Sequence, residues 1–420
     1  MRATIISIGD ELIHGQCVDT NSAWLSERLT GLGVKVARHI TLGDSVEDIS
    51  TCLKDELTKS QLLVVTGGLG PTLDDVTREA IAGAIDQPLQ QDDDALQQIQ
   101  SFFARRERPM AESNRRQALI PKTCTLIPNR LGTAPGIRFD GRDVILFALP
   151  GVPAEMKALV EEFMVPLVRS RIGESCTRSR VLLTYGVSES AIGEQISELM
   201  RRGRNPSVGT TASRAIISIR IVARGTNDAE ADRLTQQDTE EVRRILGVTV
   251  YGEKDETLQS VVGRLLLQSE KTISTAESCT GGLLAKCLTD VPGSSRYFRE
   301  GYITYSNEAK CKLLGIPEAL IEKHGAVSEA VARGMAVGCL TKTGCDFALA
   351  ITGIAGPGGA CPPEKPIGLV FLALASQPAG TIDPVAVKRV LLGDTLTREE
   401  VRDRATKAAL NLLRLRLLPC

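Results

Sequence analysis

The chain has little of several things that define whole classes of protein. Aromatic residues make up only 3% of its 420 residues, which leaves few rings for a base-stacking surface on single-stranded nucleic acid. Histidine occurs only at His14, His39 and His324, so a metal centre built from several histidines is excluded. The net charge of −1 supplies no overall positive field to attract nucleic acid or anionic membranes.

Long apolar runs and paired cysteine motifs are also missing. The longest apolar runs, such as Val144–Leu149, fall far short of the ~18 residues needed to span a bilayer. The 11 cysteines form no CxxC motif, which argues against a zinc ribbon and a disulfide framework. The chain runs from a short apolar patch into Gly9-Asp10-Glu11, a pattern typical of a buried strand and turn rather than a signal peptide. We therefore expect a cytoplasmic protein with no membrane partner.

Strand and helix patterns alternate over residues 1–170, which predicts an α/β fold with a doubly wound, mostly parallel sheet. Residues 171–252 read as a small α+β module, with a strand over 180–187, a helix over 188–200, a strand over 215–223 and a charged helix over 228–246. From 253 to 420 the α/β pattern returns, which predicts an α/β/α domain that closes with a helix over 399–418. The sequence thus predicts three domains, 1–170, 171–252 and 253–420.

A glycine-rich stretch, Thr66–Asp75, follows a predicted parallel strand. Glycines at such a strand end let backbone N–H groups approach a phosphate, and the following helix dipole favours an anion. Asp74 and Asp75 could then bind a metal that bridges phosphates. A glycine-rich turn with a capping box from Thr72 to Asp75 explains the same stretch of sequence equally well. The acidic pair Asp10 and Glu11 follows another strand end and faces the same two interpretations.

Ser278 lies between a predicted strand and the start of a helix, where N–H groups could stabilise an oxyanion. A serine nucleophile needs a base, and no histidine is near in sequence, which leaves a lysine as the next candidate. Asn307 is a good N-cap, which places Lys310 early in the helix, where the dipole and burial would lower its pKa. From the residues alone, a solvated Lys310 is the outcome we favour.

Other strand-end and helix-start residues carry weaker signals. The glycine loop with Thr352, Gly353 and Gly356 suits a phosphate or a closely approaching substrate, or is only a flexible connection. Arg402 and Arg404, near the start of the last helix, could clamp a phosphate or carboxylate, although a solvated helix face is the usual outcome.

Several stretches, in this order along the chain, resemble those of one family. Four stretches of the first block resemble the MoaB/MogA-like domain, which binds molybdopterin in its relatives. They are Gly9–Leu12, Gly67–Thr72, Asp74-Asp75 and Pro150–Met156. Five stretches of the last block resemble the C-terminal domain of the CinA competence/damage-inducible family. They are Ala276–Gly282, Gly301–Lys310, His324–Ser328, Gly353–Gly359 and Lys365–Gly368. The resemblance covers nearly the whole chain and includes a KH-like middle module.

In the last block, the resemblance implies a nicotinamide-nucleotide amidohydrolase with a Ser-Lys mechanism and no cofactor. Ser278 would attack the carboxamide carbon of nicotinamide mononucleotide, and Lys310 would pass the serine proton to the leaving ammonia. Tyr305 would act as a relay or orienting group, and N–H groups near Thr280–Gly282 would hold the oxyanion. The oxyanion and substrate-binding residues implied are Glu277, Thr280, Gly281, Gly282, Thr352, Gly353, Gly356 and Arg402.

In the first block, the resemblance implies hydrolysis of ADP-ribose to AMP and ribose 5-phosphate with a divalent cation held by Asp74 and Asp75. Both reactions belong to pyridine-nucleotide salvage. The expected partners are small-molecule nucleotides and a second copy of the chain in a homodimer. The nucleotide-site residues implied are Asp10, Glu11, Gly67, Gly68, Gly70, Thr72, Asp74 and Asp75.

Two features depart from this pattern, and two other functions stay open. Pro362 and Pro363 stiffen a loop where the family has more glycine or serine, and Cys279 competes with Ser278 as the nucleophile. The first block could bind a pterin or nucleotide without turning it over. A nucleic-acid role for the KH-like module has Arg201–Arg204 as its best feature, but the module's near-neutral charge and the few aromatics argue against it.

Overall fold

The computed structural model describes residues 1–172, 176–357, 364–377 and 385–418. The chain divides into two units: Met1–Ser179 with Val222–Thr235, and Arg180–Ile221 with Gln236–Cys420. The division passes through the middle module, so the boundaries between three domains stay a prediction.

The first 172 residues alternate strands and helices as predicted. Their strands are β1 Arg2–Ile8, β2 Lys35–Leu42, β3 Leu62–Thr66, β4 Leu89–Gln91, β5 Leu119–Pro121, β6 Thr125–Ile127, β7 Gly136–Asp140 and β8 Ile145–Leu149. Their helices are α1 Asp10–Ile13, α2 Thr20–Gly31, α3 Val46–Glu56, α4 Thr77–Ala84, α5 Asp93–Ala104, α6 Pro153–Leu159 and α7 Val165–Ile172.

The main sheet of this region has the order β2-β1-β3-β8-β7-β6. Its first four strands are parallel, and β7 and β6 are antiparallel additions at one edge. Alternation along β1 sends Ile5 into the apolar cluster on one face and Ile6 into the cluster on the other. Apolar clusters on both faces explain the continuous apolar runs of the central strands and confirm the doubly wound, mostly parallel sheet.

The middle module is α+β, as predicted. Its elements are β9 Cys176–Tyr185, α8 Glu189–Gln195, β10 Ser207–Ser213, β11 Ile216–Gly225, α9 Asp228–Leu246 and β12 Val250–Glu253, and its sheet order is β10-β11-β9-β12. The helix predicted over 188–200 was too long, because the N–H groups of Ser197 and Leu199 donate to carbonyl groups three residues earlier, those of Glu194 and Ile196, instead of continuing the α-helical pattern.

The remaining elements form the predicted α/β/α domain. The strands are β13 Ile273–Glu277, β14 Phe298–Ile303, β15 Phe347–Gly353, β16 Leu369–Ser376 and β17 Ala386–Leu391. The helices are α10 Leu258–Gln268, α11 Leu283–Thr289, α12 Asn307–Leu314, α13 Glu318–His324, α14 Glu329–Thr343 and α15 Arg398–Leu417.

The sheet of this domain has the order β14-β13-β15-β16-β17. Strand β13 is parallel to both β14 and β15, whereas β16 and β17 are antiparallel. Leu349 and Ile351 pack into the cluster that contains residues of α10 and α15, and Ala348 and Ala350 pack toward α14 on the other face. The carboxyl ends of β13, β14 and β15 therefore meet at one edge, the usual ligand position in such sheets.

None of the helices in the described residues combines the length and apolarity that a membrane crossing requires.

Candidate active site

Ser278 lies at the carboxyl end of β13, in the turn that leads to α11. Its N–H donates to Ile351 O of the neighbouring strand at 2.9 Å, which ties the turn to the sheet. Gly281 and Gly282 have φ angles of +58° and +96°, which a side chain with a Cβ adopts only with strain. Glycine at these two positions therefore lets the chain turn sharply directly after Ser278.

Lys310 is buried, contrary to the solvated side chain that we expected. Its helix is capped by Ser306, whose hydroxyl accepts from Ala309 N–H, and not by Asn307 as predicted. Helical side chains lean toward the N-terminus of the helix, so Lys310 reaches back toward the end of β14. Only 1% of Lys310 is exposed, whereas Lys312 on the same helix is exposed.

The side-chain nitrogen of Lys310 contacts three oxygen atoms. Nζ lies 3.2 Å from Ser278 Oγ, 2.9 Å from Thr304 O and 3.4 Å from Tyr305 O. Within the described residues no carboxylate pairs with it, so burial lowers the pKa of Lys310 below its ordinary 10.5. The site thus favours the neutral amine.

A neutral amine fits this geometry well. Two N–H bonds can point to Thr304 O and Tyr305 O, which directs the lone pair of Nζ toward the hydroxyl of Ser278. The lysine can then accept the serine proton, which is the step that a serine nucleophile requires of a base.

Glu277, expected to contact substrate, is committed to the protein instead. Its side chain is buried and accepts from the N–H groups of Gly282 at 3.0 Å, Leu284 at 3.0 Å and Ala285 at 2.8 Å. A carboxylate is stabilised at a helix N-terminus because it satisfies unpaired donors there. The expectation that Gly282 N–H holds an oxyanion is corrected, since this donor is already engaged.

The N–H groups of Cys279 and Thr280 are the donors that this turn leaves available. The N–H of Gly281 donates to Ser278 O at 3.1 Å, so it too is engaged. Among the described residues, no other residue accepts from the N–H of Cys279 or Thr280. Both groups directly follow Ser278, so they could hold the negative charge that would develop if its hydroxyl took part in acyl transfer.

Cys279 is a poor competitor for the role of nucleophile. Its side chain is 5% exposed, and burial raises the pKa of its thiol to about 12. The thiolate is the reactive form of cysteine, and this burial suppresses it. Because Lys310 contacts the hydroxyl of Ser278, the geometry favours oxygen over sulfur.

Two arginines at the start of α15 hold the loops around Ser278. Arg402 donates to Thr280 O from Nε at 3.1 Å and from Nη2 at 2.6 Å, so it fixes the turn rather than facing solvent. Arg398 donates to Gly356 O at 2.7 Å and to the hydroxyl of Tyr305 at 2.6 Å. Tyr305 is 60% exposed and meets Lys310 through its backbone oxygen.

Sequence reasoning missed Arg398, although a signal for it exists. Thr397 and Glu400 form a capping box, which sets the first helical residue at Arg398. Residues four apart lie on the same face of a helix. A helix that begins at Arg398 therefore places Arg398 on the same face as Arg402.

The predicted residues of β15 lie at the same edge of the sheet. Thr352 donates from Oγ1 to Ala326 O at 2.9 Å, and the Cβ that a side chain at Gly353 would add meets Leu369 O at 2.8 Å. Thr352 therefore supports a neighbouring loop, and Gly353 permits close strand packing. Residues 358–363, which include Pro362 and Pro363, lie outside the described residues.

The first unit has a cavity of about 620 Å³ at the carboxyl ends of β1, β2, β3 and β8. Asp10 and Thr72 do not line it, whereas the other predicted members of the nucleotide site do. Those lining residues are Glu11, Gly67, Gly68, Gly70, Asp74 and Asp75.

The loop after β3 is held together by Asp75. Its carboxylate accepts from Gly70 N–H at 2.7 Å, from Thr72 N–H at 2.9 Å and from the Thr72 hydroxyl. Helix α4 starts only at Thr77, so Thr72 does not cap it as the capping-box interpretation required. Cation binding by Asp74 and Asp75 stays a prediction, although the oxygens of Asp75 already have donors.

Sequence reasoning also missed an acidic residue of this cavity, Asp44. Asp10 N–H donates to Asp44 Oδ2 at 3.0 Å, and Asp44 N–H donates to Asp10 Oδ1 at 3.1 Å. Burial raises the pKa of Asp44, and the carboxylates of Asp10, Glu11 and Asp74 raise it further. Gly43-Asp44-Ser45 after β2 was the available signal, since it marks another strand end.

The described acidic side chains supply too few ligands to hold a metal ion by themselves. In the described residues, no group of three or more His, Cys, Asp or Glu side chains is placed to hold a metal ion. Magnesium commonly uses one or two carboxylates together with substrate phosphates. Glu11, Asp44, Asp74 and Asp75 are among the carboxylates that line the cavity, so one or two of them would hold such an ion, and it would neutralise phosphate charge.

The arginines of the middle module are mostly paired. Arg201 lies 2.7 Å from Glu198, and Arg204 lies 3.0 Å from Asp238. The Arg201–Arg204 motif therefore offers little uncompensated positive charge to a phosphate backbone.

Family profiles match the chain in three successive stretches. The matches are the CinA C-terminal domain over residues 255–417, the "Probable molybdopterin binding domain" over 4–170, and the KH domain of damage-inducible protein CinA over 179–252. A competence-damage inducible protein of Symbiobacterium thermophilum is 43% identical over 430 residues, covering 100% of this chain and 99% of the relative. The chain belongs to the CinA family.

Other CinA proteins are similar to this chain. A CinA-like protein of Geobacter sulfurreducens is 42% identical over 419 residues, covering 100% of both chains. A solved CinA structure from Thermoplasma acidophilum, whose function its description gives as unknown, is 35% identical. It covers 40% of this chain and 97% of its own, with a TM-score of 0.38.

We expect Lys310 to make stability depend on pH. The pKa of Lys310 in the folded chain lies below its value of 10.5 in the unfolded chain. Between these two pKa values the unfolded chain binds more protons than the folded chain, so the free energy of unfolding rises with pH across that range. Each unit of pKa difference contributes about 1.4 kcal/mol. In thermal melts between pH 7 and 10.5, the wild type should gain stability relative to Lys310→Met as pH rises. Lys312→Met, which removes an exposed lysine, should show no such trend, and a parallel course for Lys310→Met would contradict the assignment.

Proposed function

We propose that the second unit is a nicotinamide-nucleotide amidohydrolase, which converts nicotinamide mononucleotide to nicotinate mononucleotide and ammonia. The observation that carries the proposal is the 3.2 Å contact between Lys310 Nζ and Ser278 Oγ, in a buried site that favours the neutral amine. The substrate class comes from the family resemblance, and the geometry supplies the nucleophile and its base.

The reaction follows ordinary acyl transfer. Lys310 Nζ takes the proton of the Ser278 hydroxyl as Oγ bonds to the carboxamide carbon, and the ammonium returns that proton to the leaving amine. Ammonia departs and leaves an acyl ester on Ser278. Water then attacks the ester carbon, its proton passes through Lys310 to Oγ, and nicotinate mononucleotide is released.

The surrounding groups would stabilise charge and hold the loops. The N–H groups of Cys279 and Thr280 are the donors we assign to the oxyanion, and Arg402 fixes the turn that carries them through Thr280 O. Tyr305, tethered by Arg398, would orient the substrate at the open side of the site.

A second activity is proposed for the first unit: hydrolysis of ADP-ribose to AMP and ribose 5-phosphate with a divalent cation. The cavity favours it because glycine N–H groups after β3 lie in one pocket with carboxylates after β1 and β2. A ligand that carries phosphates would meet both kinds of group. Binding of a pterin or nucleotide without turnover remains the alternative for this unit.

We expect Ser278→Ala to lower ammonia release from nicotinamide mononucleotide by at least about a thousandfold, because it removes the nucleophile. Cys279→Ala is the matched control, since it alters the adjacent buried side chain, and it should retain activity within about tenfold. Ammonia would be measured by a coupled glutamate dehydrogenase assay. Activity that survives in Ser278→Ala and disappears in Cys279→Ala would assign the nucleophile to sulfur.

The amidase rate should rise with pH. Because only the neutral amine accepts the serine proton, kcat/KM should increase as Lys310 loses its proton and then level off, with an apparent pKa below 10.5. Lys310→Arg should stay inactive from pH 7 to 10.5, because a guanidinium remains protonated there. A wild-type rate that falls across this range would contradict a lysine base.

For the first unit, we expect AMP from ADP-ribose only when a divalent cation is present. Asp74→Asn should lower the rate by roughly ten- to a hundredfold, because a carboxylate that would bind the cation is lost. Asp143→Asn, which changes an exposed acid outside the cavity lining, should act like the wild type. Binding of ADP-ribose without AMP formation would leave this unit as a binding domain.

A further inference from the structure

Arg78 is an arginine buried directly behind the glycine loop of the first unit. It is the second residue of α4, and only 1% of it is exposed. Nη1 donates to Leu69 O at 2.7 Å, and Nη2 donates to Gly70 O at 2.7 Å. The pattern of a helix start after a glycine loop did not mark this residue, because arginine there is usually solvated.

Arg78 forms no ion pair within the described residues, although the nearby carboxylates of Glu79 and Asp75 favour its charge. Within the described residues, Nε has no hydrogen-bond partner, and no carboxylate lies within ion-pair distance of the guanidinium. Burial lowers the pKa of Arg78 to about 10, so the group still carries its positive charge at neutral pH. A buried charge without a counter-ion is unfavourable, and an anion nearby would offset it.

Four successive carbonyl groups of the loop, those of residues 67–70, accept hydrogen bonds from Thr77 and Arg78 at the start of α4. Thr77 donates from Oγ1 to Gly67 O at 2.8 Å and from its N–H to Gly68 O at 3.1 Å, and Arg78 holds the carbonyls of Leu69 and Gly70. A trans peptide places its N–H opposite its C=O. The N–H groups of Gly68 and Leu69 therefore point away from Thr77.

These two N–H groups form an anion-binding loop. Within the part of the chain that the structure describes, neither has a hydrogen-bond partner, and both residues line the 620 Å³ cavity. Gly67 and Gly68 have φ angles of +106° and +64°, a conformation that glycine adopts readily and residues with a Cβ adopt only with strain. A Cβ at Gly68 would lie 2.3 Å from Thr77 Oγ1, so the contact that holds the loop also demands glycine.

We propose that Arg78 is a positioning residue for the phosphate group of the ligand of this cavity. Thr77 turns the N–H groups of Gly68 and Leu69 toward the cavity, Arg78 fixes the two following carbonyls of the loop, and the buried charge of Arg78 favours an anion against those N–H groups. The inference rests on the proposed function of the first unit and adds where the phosphate binds.

Arg116 provides a matched control for Arg78. It too donates to carbonyls of this loop, those of Thr72 and Asp75, but it is paired with Glu79 at 2.9 Å and its side chain is 21% exposed. Its charge is therefore already compensated. A purely structural role would make the two arginines equivalent, whereas the proposal separates them.

The test is calorimetric titration of the full chain with inorganic pyrophosphate and with ADP-ribose. Arg78→Gln should raise the Kd of both probes by about ten- to a hundredfold, because a buried charge and its field are lost. Arg78→Lys, which keeps the charge, should recover part of that loss. Arg116→Met should stay within about twofold of the wild type even where its melting temperature falls as much as that of Arg78→Gln.

The contrary outcomes are distinct. Equal weakening by Arg78→Gln and Arg116→Met, or unchanged affinity in folded Arg78→Gln, would overturn the role of Arg78 and leave the cavity's function standing. A wild-type chain that binds neither probe would overturn the proposed function of the first unit and this inference with it. If Arg78→Gln does not fold, a wild-type crystal structure with pyrophosphate decides: phosphate oxygens on Gly68 and Leu69 N–H support the inference, and phosphate elsewhere overturns it.

Discussion

The candidate site of the second unit depends on one electrostatic constraint: the amine of Lys310 is held out of water, and within the described residues no carboxylate pairs with it. Lys310 meets carbonyl oxygens and a hydroxyl, so nothing nearby compensates a full positive charge. The neighbouring features preserve this condition. Ser306 caps the helix that carries the lysine, and Glu277 satisfies the N–H groups of α11 without approaching Nζ within ion-pair distance. A carboxylate beside Nζ would raise its pKa and remove its use as a base.

The first unit also contains a buried cation, with a different chemical consequence. Arg78 is also a buried cation whose hydrogen bonds go to carbonyl groups, but with a pKa of about 10 its guanidinium keeps its proton at neutral pH. Desolvation thus shifts lysine toward its neutral form and leaves arginine charged at neutral pH. The two sites share the position at the carboxyl ends of parallel strands, while the type of buried cation sets what each can do.

The sequence predicted the strand–helix order well, because buried parallel strands such as Leu62–Thr66 are continuous apolar runs. It missed β10, where Ser207–Ser213 contains a single large apolar residue, Val208, and it extended α8 too far. Motif resemblance brought Ser278 and Lys310 forward, yet the residues alone favoured a solvated lysine. Burial, the engagement of Gly282 N–H by Glu277, and the contacts of Arg398 depend on tertiary packing that no local pattern encodes.

The packing of Cys279 bears on how the site would tolerate oxidising conditions. Peroxide attacks thiolates first, and hydrolases that rely on a thiolate lose activity when it becomes a sulfenic acid. Here the thiol of Cys279, next to Ser278 in the chain, is buried and held in its protonated form, while the proposed nucleophile is a hydroxyl oxygen that peroxide does not oxidise. A hydrolase that uses Ser278 would therefore keep its nucleophile under oxidising conditions.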